Sequence, residues 1–204
     1  MKNKIIAVIG AGGKTTLIHR LAEEYRRKGA SVLVSTTTHM LVEPDTDLSC
    51  DSFAVMEKIK KTGYCMAGAV CPENSAKMQS LPEQMLHDLM KQVDYALIEA
   101  DGAKHYALKY PSEQEPVIPE GTTDVILVLG SWDLGKPCKD VVFRFEHMTS
   151  VLGISGDMKA DKQMLQWIWQ AYEEKLKKMD YQGHFHVLLS EKTDQGLMFH
   201  TLEE

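Results

Sequence analysis

The sequence lacks any apolar run approaching the length of a membrane span, which excludes a helical membrane anchor within it. It lacks a basic excess. With 29 acidic residues against 23 basic ones, the net charge is −6, the wrong sign for a nonspecific binder of nucleic acid. Its four cysteines, Cys50, Cys65, Cys71 and Cys138, never fall at CxxC spacing, so neither a disulfide framework nor a zinc site is expected. They read as small, mostly buried hydrophobes in a reducing cytosol. There is no internal repeat, low-complexity tract or compositional boundary, and residues 1–204 are expected to form a single domain. The first apolar stretch, Ile5–Ile9, is cut short by glycine, so it reads as a strand and not as a signal peptide.

What is present is concentrated in Gly10-Ala11-Gly12-Gly13-Lys14-Thr15-Thr16. The stretch follows the apolar run and precedes an amphipathic pattern, giving the order strand, glycine loop, helix. In that order backbone N–H groups and a helix N-terminus converge on phosphate. Glycines let the chain curl closely around an anion. Lys14 would clamp the terminal phosphates, and Thr15 would present a hydroxyl to a magnesium ion. The strict eight-residue pattern would require glycine where Val8 stands; the shorter form found here resembles the loop of Mur-type ligases. The spacing predicts nucleotide binding by Gly10, Ala11, Gly12, Gly13, Lys14, Thr15 and Thr16, with ATP or GTP and Mg²⁺ as ligands.

The remaining pattern alternates. A helix is expected from Thr15 to Lys28 and a strand at Ser31–Ser35, completing a βαβ unit. Residues 53–61 are ambiguous, 63–70 read as a strand or hairpin arm, and 80–92 as a helix. Tyr95–Ile98 and Asp124–Gly130 are apolar strands separated by a long proline-punctuated loop. Leu165, Ile168, Trp169, Tyr172, Leu176 and Met179 mark a last helix, and His186–Ser190 a last strand. This alternation predicts an α/β fold: a three-layer α/β/α sandwich with a mostly parallel sheet, P-loop NTPase-like.

Further candidates sit at strand ends. Glu99 and Asp101 follow the strand from Tyr95 and would join Thr15 around magnesium, because strand C-termini converge on the site of an open α/β sheet. Thr36-Thr37-Thr38-His39 ends the second strand; Thr38 would orient an attacking water and His39 accept its proton. With Lys14 and Asp101, these make up the expected catalytic set. Lys104 and His105, with Lys109 nearby, would hold the anion of a second substrate or bridge phosphates. Glu191-Lys192-Thr193-Asp194 partly resembles the Asn-Lys-x-Asp base-reading motif of GTPases, with glutamate in place of asparagine; Lys192 and Asp194 are the expected base contacts.

Several of these motifs occur together in one family. The glycine loop, the Ser35–His39 strand end, Glu99-Ala100-Asp101-Gly102-Ala103-Lys104-His105, Glu115–Pro119, and Leu134–Pro137 with Arg144 resemble the YqeC family of selenium-dependent hydroxylase accessory proteins, over residues 5–145. The resemblance implies a cytoplasmic P-loop protein, with a molybdenum hydroxylase or its cofactor-maturation machinery as partner. It also implies a function: an NTPase assisting maturation of a selenium-dependent molybdenum hydroxylase. Two other functions remain open, an ATP-dependent kinase or ligase that activates a small molecule, and a nucleotide-sensing scaffold with little hydrolysis. Oligomeric state is not readable from the residues.

Overall fold

The computed structural model describes residues 3–155 and 157–202. Its fold is mixed α/β with a mostly parallel main sheet. The chain divides into two compact units: the first contains residues up to Val8, Thr15–Gly102 and Val117–Val125; the second contains Ile9–Lys14, Ala103–Pro116 and residues from Ile126 onward.

In the first unit, β1 (Lys4–Gly10) leads through α1 (Lys14–Arg27) to β2 (Val32–Thr36). Leu17, Ile18 and Ala22 give α1 a buried stripe. The Tyr25 ring stacks on Tyr95 at 3.7 Å. Then come β3 (His39–Leu41), α2 (Ser52–Thr62), β4 (Tyr64–Met66), β5 (Ala69–Val70), β6 (Lys77–Gln79), α3 (Glu83–Lys91) and β7 (Tyr95–Glu99). The parallel strands lie in the order β1-β7-β2-β4. A second, antiparallel sheet has the order β3-β6-β5.

Local chemistry settles the ambiguous 53–61 stretch as helix. Asp51 accepts hydrogen bonds from the Phe53 and Ala54 N–H groups, and Gly63, in the left-handed region, closes the other end of α2. α3 starts later than its periodicity suggested, because Pro82 stands immediately before its first turn. Val55 and Ile59 of α2 and Leu86, Leu89 and Met90 of α3 share one apolar cluster with Leu33, Ala96 and Ile98 of the strands.

The second unit contains β8 (Leu108–Lys109), most of β9 (Asp124–Gly130), α4 (Cys138–Val141), β10 (Val142–Phe143), α5 (Phe145–Leu152), α6 (Lys162–Lys178), β11 (His184–Thr193) and β12 (Gly196–Thr201). β12, β11 and β9 are successive neighbours, and β8 pairs in parallel with β10. Asp161 caps α6 through the Met164 N–H. Met164, Leu165, Ile168, Tyr172 and Leu176 are its buried face, whereas Met179 falls at the C-terminal cap and is exposed.

Two sequence expectations are corrected here. The stretch after Gly102 is not structureless, since it contains β8, paired with β10. The last strand does not end at Ser190: β11 continues to Thr193 and turns into an antiparallel partner, β12. Lys192 and Thr193 therefore lie in a paired strand and not in a following loop. Three cysteines are buried as expected, but Cys50 is exposed. Among the described residues no helix is long and apolar enough to cross a membrane.

Asp94, just ahead of β7, anchors the start of β2. Its carboxylate accepts hydrogen bonds from the Ser31 N–H at 2.8 Å and the Ser31 hydroxyl at 2.7 Å. Those two donors hold its carboxyl below the usual Asp range. A lowered folded value means that the stabilisation is complete above the ordinary Asp range and disappears as pH falls through the folded value. Asp94→Ala is expected to lower the melting temperature at neutral pH, with the gap to the unmodified protein narrowing in acid. Thermal melts across that pH range check this.

Candidate functional site

β1 ends in a backbone conformation that only glycine adopts without strain. Gly10, Gly12 and Gly13 have φ of 90°, 84° and 117°. Close approach adds to the requirement at Gly12, where a Cβ would lie 2.6 Å from the backbone of Gly130 and 2.7 Å from the Ala107 carbonyl oxygen. The loop is also tied down by hydrogen bonds: the Ala11 N–H donates to the Val128 carbonyl at 2.9 Å, and the buried Ser190 hydroxyl donates to the Gly12 carbonyl. α1 begins directly at Lys14, with no acidic side chain in its first turn to oppose an anion. Lys14 is 5% exposed, and its ammonium donates to the Gly10 carbonyl at 2.8 Å. The lysine is thus folded back over the loop it follows. Ala11 is fully buried, and Thr16 lies half-buried on the first helical turn.

In the first unit the C-terminal ends of parallel strands meet, with Glu99 in register with Val8 of β1 and Thr36 of β2. The Thr15 hydroxyl donates to Glu99 Oε2 at 2.8 Å. Adjacent oxygens in an octahedral magnesium shell lie about 2.9 Å apart, given ligand distances of about 2.0–2.1 Å. The donor pair therefore fits that ion in both spacing and oxygen chemistry. Asp101 is fully buried two residues further on. Thr36 donates to the Glu99 carbonyl at 2.8 Å and accepts from the Thr38 N–H at 3.0 Å. Its hydroxyl lies 3.4 Å from that of Thr38. The Thr37 hydroxyl instead donates to the Val117 carbonyl at 2.7 Å. His39 is exposed at the start of β3, where its ring neighbours Cys71 and Glu73.

Lys104 and His105 are the two central residues of a tight turn closed by the Tyr106 N–H on the Ala103 carbonyl, and both have positive φ, 46° and 66°. Non-glycine residues seldom adopt this conformation in succession. Lys104 Nζ lies 5.4 Å from the Phe143 ring centre, Arg144 5.4 Å and Lys109 5.9 Å. Glu115 accepts from Lys109 at 2.8 Å and from Arg144 at 2.7 Å. Three cations thus surround one ring, and two of them, Lys109 and Arg144, share one carboxylate. Lys109 was legible beside Lys104 from its nearness in the sequence, but Arg144, at a distant strand end, carries no spacing signal that would join it to them.

Lys192 lies with its ammonium 4.5 Å from the Trp132 ring centre, and Asp194 is exposed at the turn between β11 and β12. Ser190 was missed as a site residue; nothing in a strand-like sequence marks one serine as the buttress of a loop far away in the chain.

The profile of the family described as YqeC protein matches residues 6–146. The chain is similar to the "Uncharacterized protein YqeC" of Escherichia coli strain K12, at 34% identity over 161 residues, covering 75% of this chain and 62% of that protein. The chain thus spans less than two thirds of the length of the curated relative it matches. No solved structure matches.

Packing at Gly12 separates two costs. Gly12→Ala meets both the left-handed backbone and the collision with Gly130, and is expected to destabilise by about 3 kcal/mol or more. Gly135→Ala, at φ 90° with nothing within 4 Å of its Cβ, should incur only the conformational cost, about 1–2 kcal/mol. Urea unfolding of both variants checks the difference.

Proposed function

The chain belongs to the YqeC family, and from that premise we propose that it binds a magnesium-bound nucleoside triphosphate on Gly10–Thr16 and hydrolyses it as a P-loop NTPase. The observation that carries the reading is the left-handed glycine loop running straight into α1, with the Lys14 ammonium held back across it. In this reading the loop amides and the helix N-terminus hold the β- and γ-phosphates, and Lys14 transfers its ammonium from the Gly10 carbonyl to phosphate oxygen. Magnesium, which lowers the charge on the phosphates, would be held by Thr15 and Glu99, with Asp101 as further acid. Thr38 orients the attacking water; Lys192 and Asp194 contact the base of ATP or GTP. The likeness to the family also supports the biological setting proposed for this activity: a cytoplasmic role in maturation of a selenium-dependent molybdenum hydroxylase.

A second reading, transfer of a phosphoryl group to a small anionic acceptor, rests on the cationic cluster of Lys104, Lys109 and Arg144 around Phe143. His105 would complete that acceptor site. Turnover of nucleotide alone favours hydrolysis, and turnover only with an acceptor favours transfer. Tight binding without turnover points to a sensing scaffold.

Thermal melts with ATP and GTP, each with and without Mg²⁺, test the shared premise. At a nucleotide concentration about 100 times Kd the expected stabilisation is about 2.7 kcal/mol, or about 5–10 °C for a chain of this size. Lys14→Ala should abolish the shift, and Thr15→Val should remove the magnesium-dependent part of it. An undiminished shift in Lys14→Ala would overturn the clamp role.

A further inference from the structure

The small β3-β6-β5 sheet assembles a group of donors that no linear motif announces. His39 at the head of β3 and Ala69 on β5 both face Gln79 of β6, one from each side. Two residues past Ala69 comes Cys71, and a turn closed by the Asn74 N–H on the Cys71 carbonyl at 3.2 Å brings Glu73 back beside it. A nitrogen of His39, Cys71 Sγ and a carboxylate oxygen of Glu73 all lie within 4.8 Å of one another. Cys71 Sγ is 3.4 Å from Glu73 Oε2.

The other buried thiols differ in their surroundings. They are Cys65 and Cys138. Neither belongs to such a group among the described residues. Cys71 is only 3% exposed, whereas His39 and Glu73 are exposed. The sulfur is therefore fixed by the fold, while the imidazole and carboxylate have room to swing onto an ion.

We propose that His39, Cys71 and Glu73 form a binding site for a divalent ion of the zinc class. One thiolate, one imidazole and one carboxylate are the donor types such an ion selects, and they disfavour magnesium and calcium, which take oxygen alone. In a tetrahedral shell, with bonds of about 2.0–2.3 Å, neighbouring donors sit about 3.5 Å apart. The three donor atoms already lie within 4.8 Å of one another, and His39 and Glu73 are exposed, so the remaining closure falls to two surface side chains. Binding converts Cys71–SH and M²⁺ into Cys71–S–M⁺ and H⁺, so a proton leaves for every ion bound. Three protein ligands leave a fourth position for water or an exogenous ligand.

The test uses the whole chain, reduced and stripped of metal, titrated with Co²⁺ in the absence of nucleotide. About one equivalent should produce a thiolate-to-cobalt charge-transfer band with tetrahedral d–d absorption, displaced by Zn²⁺ with release of about one proton per ion. Cys71→Ser should abolish the band, and Cys50→Ser, altering an exposed thiol, should leave it intact. His39→Gln and Glu73→Gln should each weaken binding by about tenfold or more. These two surface substitutions decide the matter if Cys71→Ser does not fold. Absence of the band in the unmodified chain, its survival in Cys71→Ser, or unchanged affinity in both surface variants would overturn the site.

Discussion

At Gly12 the chain presses bare backbone against bare backbone. Hydrogen stands where a Cβ would strike Gly130 and the Ala107 carbonyl. The Gly12 carbonyl accepts from Ser190 of β11, and the neighbouring Ala11 amide donates to Val128 of β9. The shape of the loop is thus set by strands remote in sequence as well as by its own glycines. Every property read from that loop, the start of α1 and the seat of Lys14 among them, depends on this contact. It also explains why β12 matters: its pairing with β11 covers the strand that supplies Ser190.

Much of the fold was legible because its signals are local. Asp124–Gly130 matches β9 residue for residue, since a near-continuous apolar run between turn residues has few other solutions. The caps of α2 were equally present in Asp51 and Gly63, but a balanced apolar pattern hid them. The β11–β12 hairpin escaped notice for a different reason. Both strands are largely exposed or half-buried, so their polar sequence, Glu191-Lys192-Thr193, looked like a loop.

The candidate site was legible to the same degree. The glycine loop is contiguous and could be found by spacing; the Thr15–Glu99 contact was anticipated because parallel strand ends converge. By contrast, Arg144 meets Glu115 through a contact between distant segments, and Cys71 meets His39 across a three-stranded sheet. A search for CxxC spacing cannot find a donor set drawn from separate strands. Oxygen donors gather at Thr15 and Glu99, while sulfur and nitrogen gather at Cys71 and His39, two chemically different environments within the first unit.

The Lys14 ammonium rests on a carbonyl of its own loop. Its desolvation was therefore settled when the chain folded, and on the proposed function an arriving anion would take over an ammonium already buried with its side chain. A lysine placed this way would act as its own stopper: weak acceptors, water included, would gain little by displacing the Gly10 oxygen, whereas a ligand carrying concentrated negative charge would have reason to draw it away.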